Sequence, residues 1–149
     1  MTLLPFFEWC EATSLGQTVR DSLWLFPVIE ATHLVAFAVL GGTVLLVDLR
    51  ALGLVLRSQS PADLARDARP WQRASVALAL ATGTLLFLSE PIKLYYSDPF
   101  WVKVVCLALV IPFHFALRPR LHAGRLAAFV SLALWGGVAW GGRWIGFSG

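Results

Sequence analysis

The chain has 149 residues; 58% are hydrophobic and only 14% are charged. Ordinary soluble domains carry about 25% charged residues, and twelve basic plus nine acidic side chains are too few to cover a soluble domain of this length. That excludes disorder, a basic nucleic-acid-binding domain and a soluble enzyme, and it leaves the net charge of +3 needing another explanation.

Residues 3–16, with Phe6, Phe7, Trp9 and Leu15, predict a short helix lying in a membrane interface. No basic residue precedes Arg20, and Glu8 and Glu11 interrupt the apolar stretch, so the segment does not read as a signal peptide. Four apolar runs follow. Leu23 to Val47 is interrupted by Glu30 and His33, and Trp71 to Leu88 by Arg73. Phe100 to Leu117 holds Lys103 and His114, and Leu126 to Ile145 holds Arg143. Each is about 18 to 25 residues long, enough to cross a bilayer as a helix. None alternates with the period of two that a strand requires.

These runs predict an all-α fold: an integral membrane four-helix bundle with a short N-terminal interfacial helix. Residues 1–149 form one transmembrane domain, with helices at about 22–50, 70–90, 99–118 and 124–145. Asp21-Ser22 offers a cap for the first helix, and Ser60-Pro61 opens a short separate helix in the first loop. Pro70 and Asp98-Pro99 open the second and third helices, Pro91 stops the second, and Pro112 kinks the third.

Basic residues set the topology. Arg50, Arg57, Arg66, Arg69 and Arg73 fall in or beside the first loop, and Arg118, Arg120 and Arg125 in the third. The opposite side holds only Arg20, Lys93, Lys103 and Arg143. The asymmetry places loops one and three in the cytoplasm and both termini on the outer, periplasmic side. Trp24, Tyr95, Tyr96, Trp101, Trp140 and Trp144 fall near the outer helix ends as an aromatic belt. The positive charge is thus a topology signal, and no nucleic-acid partner is expected. His122 sits in the basic third loop, where a solvated or headgroup-facing role is expected.

Ionisable groups within spans are costly and point to function. Glu30 and His33, three residues apart, share a helix face with Phe37, Gly41, Val44 and Asp48. Glu-x-x-His is the ligand pair of di-iron bundles, which need a second copy and two further carboxylates; this chain has one copy. The pair reads either as a buried hydrogen bond that fixes packing or as part of a cofactor or ion site. His33 is about 22 Å up its helix from Asp48, whereas His114 is about 6 Å up from Arg118. A shared haem would need similar depths, so the histidines serve either one strained site or two separate ones. Cys106, closer to His33 in depth, suggests a His33–Cys106 copper site. Cys10 and Cys106 are not expected to pair. Lys103 either snorkels outward or reaches Glu30. Glu90 with Lys93 or Arg143 would close the outer end, as Asp48 with Arg50 would the inner end. Gly137 and Gly141 form a small-x-x-x-small face for packing within the bundle, for a homodimer or for a larger membrane complex.

Several runs carry a resemblance. They are Leu25-Phe26-Pro27-Val28-Ile29-Glu30-Ala31-Thr32-His33, Val47-Asp48-Leu49-Arg50 with Leu52-Gly53, Thr82-Gly83-Thr84-Leu85-Leu86-Phe87, Phe100-Trp101-Val102-Lys103, Phe113-His114 and Gly142-Arg143-Trp144-Ile145. With them the chain resembles, from about Ser22 to Ile145, an uncharacterised family of small bacterial four-span inner-membrane proteins. More loosely it is similar to copper-resistance-D-like and b-type cytochrome membrane bundles, which place histidines on their helices. The resemblance implies a bacterial inner (plasma) membrane location.

The first expectation for function is a redox-linked membrane subunit. His33 and His114 would bind haem b, or His33, Glu30 and Cys106 would bind copper. The alternative is a small transporter or ion-translocating protein, with Glu30, Asp48, Arg50, Glu90, Lys93, Lys103 and Arg143 as its network or path. The third is a non-catalytic accessory subunit. No nucleophile triad, phosphate loop or metalloprotease motif is present, so no independent catalytic activity is expected.

Overall fold

The computed structural model describes residues 3–119 and 124–147, and every described element is helical. Arg120 and His122 lie outside the described residues. Two short helices, α1 (Leu4–Glu11) and α2 (Ser14–Asp21), precede the long α3 (Leu25–Ala51) and α4 (Pro61–Ser89). A single turn, α5 (Pro91–Tyr95), leads into α6 (Asp98–Pro112), which runs on as a π turn over Phe113–Leu117. The last helix is α7 (Arg125–Ile145). Among the described residues, three helical segments are long and apolar enough to cross a membrane: Leu25–Ala51, Pro61–Ser89 and Asp98–Leu117. Their outward faces are apolar, with Leu34, Val35, Val105 and Leu109 all exposed, a surface that suits lipid rather than water.

The helices pack as two hairpins, α3 against α4 and α6 against α7, joined where α3 meets α7. Asp48 near the end of α3 meets Arg118 just after the π turn, and Arg118 in turn meets Ser131 near the start of α7. Successive long helices therefore alternate in direction. Between the hairpins lies an apolar core of Leu40, Val44, Val110, Trp135 and Val138, backed by Phe37, Val76, Cys106, Leu107, Ile111 and Leu134. We call the end carrying α1, α2 and α5 the capped end, and the opposite one the loop end.

Two features depart from the expectation. The N-terminal segment is two helices, not one. Thr13 breaks them apart by donating to the Cys10 carbonyl (2.7 Å) and accepting from the Gly16 amide (3.3 Å), so that it caps α2. Both helices dock on the bundle. Phe7 is buried among Phe87, Tyr95, Phe100 and Trp101, with ring centroids 5.1 to 6.4 Å away. Glu11 pairs with Arg20 (2.7 Å), and Arg20 donates to the Ser89 carbonyl (2.5 Å), which stitches α2 to the end of α4. Leu3, Phe6 and Trp9 stay on the exposed face.

The second departure is α4, which starts at Pro61 and runs through Pro70. There is no separate loop helix. Proline deletes one ladder bond, and at Pro70 the loss falls in a polar, exposed stretch where water can serve the freed carbonyl. At Pro112, where the sequence predicts a kink, the ladder widens into a π turn, and the Arg118 amide reaches back to the Phe113 carbonyl (2.8 Å).

Candidate functional site: two buried polar centres on one helix

The buried face of α4 is made of Ala68, Gln72, Ser75, Ala79, Thr82 and Ser89, spaced by three, four and seven residues as a helix stripe requires. Small side chains on this stripe let α3 approach closely. Two of its polar members each hold a histidine.

Near the capped end, His33 Nδ1 lies 2.8 Å from Thr82 Oγ1. The threonine hydroxyl donates to the Leu78 carbonyl (2.7 Å), so Oγ1 accepts from the imidazole. His33 is therefore the Nδ1–H tautomer, with its lone pair on Nε2. Gly83 leaves room for the ring, since a Cβ there would lie 3.1 Å from His33 Cε1. The Phe37 ring sits 5.2 Å from the imidazole, and the Lys103 ammonium 5.4 Å from the Phe37 centroid. All four long helices thus contribute, because Lys103 rests on Gly141 and Gly142 of α7.

Toward the loop end, His114 Nε2 lies 3.0 Å from Gln72 Oε1. With the amide oxygen toward it the ring nitrogen donates, and with the amide turned over it accepts, so Gln72 can hold either tautomer of His114. Fully buried Asp48 pairs with Arg118, whose Nη1 donates to Ser131 Oγ (3.3 Å). Among the described residues, His114 Nδ1, Gln72 Nε2 and Trp135 Nε1 are buried without a hydrogen-bond partner. The π turn positions His114 and Arg118 in this centre.

Gln72 and Thr82 are ten residues apart on α4, which separates the two histidines by about 15 Å along the bundle. A single haem ligated by both does not fit that separation. Among the described residues no three His, Cys, Asp or Glu side chains group as metal ligands.

Other candidate residues fall as follows. Glu30 is exposed, and the bond of His33 goes to Thr82, not to Glu30. Cys106 packs against Gly137, where a Cβ would lie 2.6 Å from the thiol sulfur, and both cysteines are free. Glu90 pairs with Lys93 (3.5 Å), while Arg143 stacks over Phe147 (4.4 Å). Arg50 donates to the carbonyls of Gln59 and Arg57, holding the loop after α3 and leaving Asp48 to Arg118. Gly137 and Gly141 turn toward α6 within the chain, the latter against the Pro99 carbonyl and Lys103. The sequence reading did not single out Thr82, Gln72, Ser131 or Trp135. The signal for the α4 pair was neutral polar residues at stripe spacing inside an Ala- and Leu-rich span.

A family model matches residues 6–148, nearly the whole chain. The chain belongs to DUF6644, a family of unknown function. No curated protein and no solved structure matches it. The function of this DUF6644 chain has to be argued from its own geometry.

Proposed function

We propose that this DUF6644 protein is a four-span membrane protein that moves protons across a bacterial inner membrane, with His33 and His114 as its two stations. One observation carries the reading: two buried histidines hang from one helix at separate depths, on either side of the apolar core around Leu40, Val44, Val110 and Val138. Buried ionisable groups in spans mark proton relays. A histidine that gains a proton on its free nitrogen and releases the one on the other moves a proton and is left as the other tautomer, which a turn of the ring resets.

In this reading α7 is the fourth span. Its 21 residues extend for about 31 Å, the thickness of the hydrocarbon layer. The excess of arginine around the loop end puts that end in the cytoplasm and both termini outside. Glu30 and Glu90 then lie toward the outer mouth. The apolar core is the barrier, and it parts at the π turn after Pro112, where the helix ladder is already broken.

The test is proton uptake by liposomes holding the purified protein and an internal pH dye, driven by a potassium diffusion potential. Uptake above that of protein-free liposomes supports the reading. Uptake equal to theirs, with the protein folded and inserted, overturns it.

A second reading has one observation in its favour. The bond to Thr82 presents His33 Nε2 as a ligating atom, the usual arrangement of a metal-bound histidine. A haem or copper absorption band lost in His33→Ala and kept in His114→Ala would favour that redox role.

A further inference from the structure

Lys103 lies five residues into α6, within an apolar span. Its backbone and stem rest on glycines: a Cβ on Gly141 would lie 2.9 Å from Lys103 Cβ, and one on Gly142 would lie 3.7 Å from Nζ. Phe37 of α3 closes the other side, 5.4 Å from the ammonium. The side chain therefore occupies a crease walled by α3, α6 and α7. Arg143, the residue after Gly142, stacks on Phe147 at the end of α7.

The cations near the capped end divide into two kinds. Arg20 pairs with Glu11 and Lys93 with Glu90. Among the described residues no carboxylate lies within ion-pair distance of Lys103 or Arg143. Glu30 is on the same face of α3 as Phe37, about two turns nearer the capped end, and it is exposed and forms no ion pair with Lys103. A cation set within a span without a counter-charge is costly, and one phenyl face offsets only part of that cost. An anion supplied from outside the chain would complete the balance.

We propose that Lys103 forms a binding site for a phosphate group at the capped end. Lys103 serves as a point charge for the phosphate oxygens. The phosphate comes either from a phospholipid headgroup in the adjoining leaflet or from free phosphate in solution. The crease shares Phe37 with the His33 centre, but the phosphate is held by Lys103 and its binding is read apart from proton uptake.

Both sources are tested on the full-length chain, delipidated in detergent. Dioleoyl phosphatidylglycerol is added for native mass spectrometry, with dioleoylglycerol as the control lacking phosphate. Inorganic phosphate is titrated against tryptophan fluorescence, for which Trp101 and Trp140 are reporters. The wild type should retain phosphatidylglycerol over dioleoylglycerol, or give a saturable response to phosphate; the first result assigns the lipid source and the second the free anion. Lys103→Gln should weaken the positive probe by about tenfold or more, and Lys103→Arg should stay within about threefold of wild type. Helical circular dichroism establishes that each variant is folded. If folded wild type binds neither probe, or folded Lys103→Gln binds as well as wild type, the proposal is overturned.

Discussion

Asp48 on α3 and Arg118 beyond the π turn form an ion pair almost wholly withdrawn from the exterior, with side chains 0% and 9% exposed. The pair ties the two helical hairpins together at the loop end. Removing one partner strands a buried charge, at a cost of about 3–5 kcal/mol. Arg118→Leu should therefore lower the detergent melting temperature strongly, and Asp48→Asn on top of it should restore most of the loss. Equal melting of the single and double variants would show that the pair is not coupled.

At the capped end, Gly16 lets α2 touch α4. A Cβ at that position would overlap the Leu88 carbonyl oxygen, a backbone atom that cannot step aside. Gly16→Ala should lift α2 at a cost of about 1–3 kcal/mol and release Arg20 from Glu11 and Ser89. The measurement is the rate of tryptic cleavage after Arg20, which should rise. An unchanged rate would mean that α2 is not held by this contact.

Cys10 is buried beneath α1, and burial pushes its thiol above the ordinary value. A thiol raised in the folded state favours folding below its unfolded value, and that contribution fades as pH climbs through the folded value. In a Cys106→Ser background, maleimide should label Cys10 slowly at neutral pH and faster in alkali, as α1 loosens. A thiol placed next door, in Trp9→Cys with both native cysteines changed to serine, should label quickly. Equal neutral rates at the two positions would contradict the docking of α1.

Pro112 supplies no N–H, and the helix beyond it winds as a π turn that aims His114 at Gln72. Pro112→Ala should let the ladder close and turn His114 away from its partner. Proton uptake should fall by roughly tenfold while the melting temperature holds or rises. Unchanged uptake in this variant would show that the π turn is not the moving part.

The long helices were legible because membrane crossing needs a run of apolar residues that no other constraint imitates. Leu23 to Val47 in sequence becomes Leu25–Ala51 in the structure, and Glu30 and His33 inside that run and Asp48 just after it drew notice at once. Their partners did not. Thr82, Gln72 and Ser131 are neutral and cheap to bury, and whether they meet a histidine or an arginine depends on how two helices rotate against each other. Arg118 counted in sequence only as a cytoplasmic charge, although the fold turns it inward to Asp48. Pro70 misled in the other direction. Read as a helix start, it lies inside α4, where the exposed surroundings soften the lost bond. The divided N-terminus was hidden because Thr13 acts through two backbone contacts that composition does not register.

The central claim is that His33 and His114 act in series, one on each side of the apolar core. The most direct measurement is potential-driven proton uptake in liposomes by wild type, His33→Phe and His114→Phe, each reconstituted at equal density. The account predicts that either substitution alone reduces uptake to the level of protein-free liposomes. Full uptake by either folded variant would contradict it.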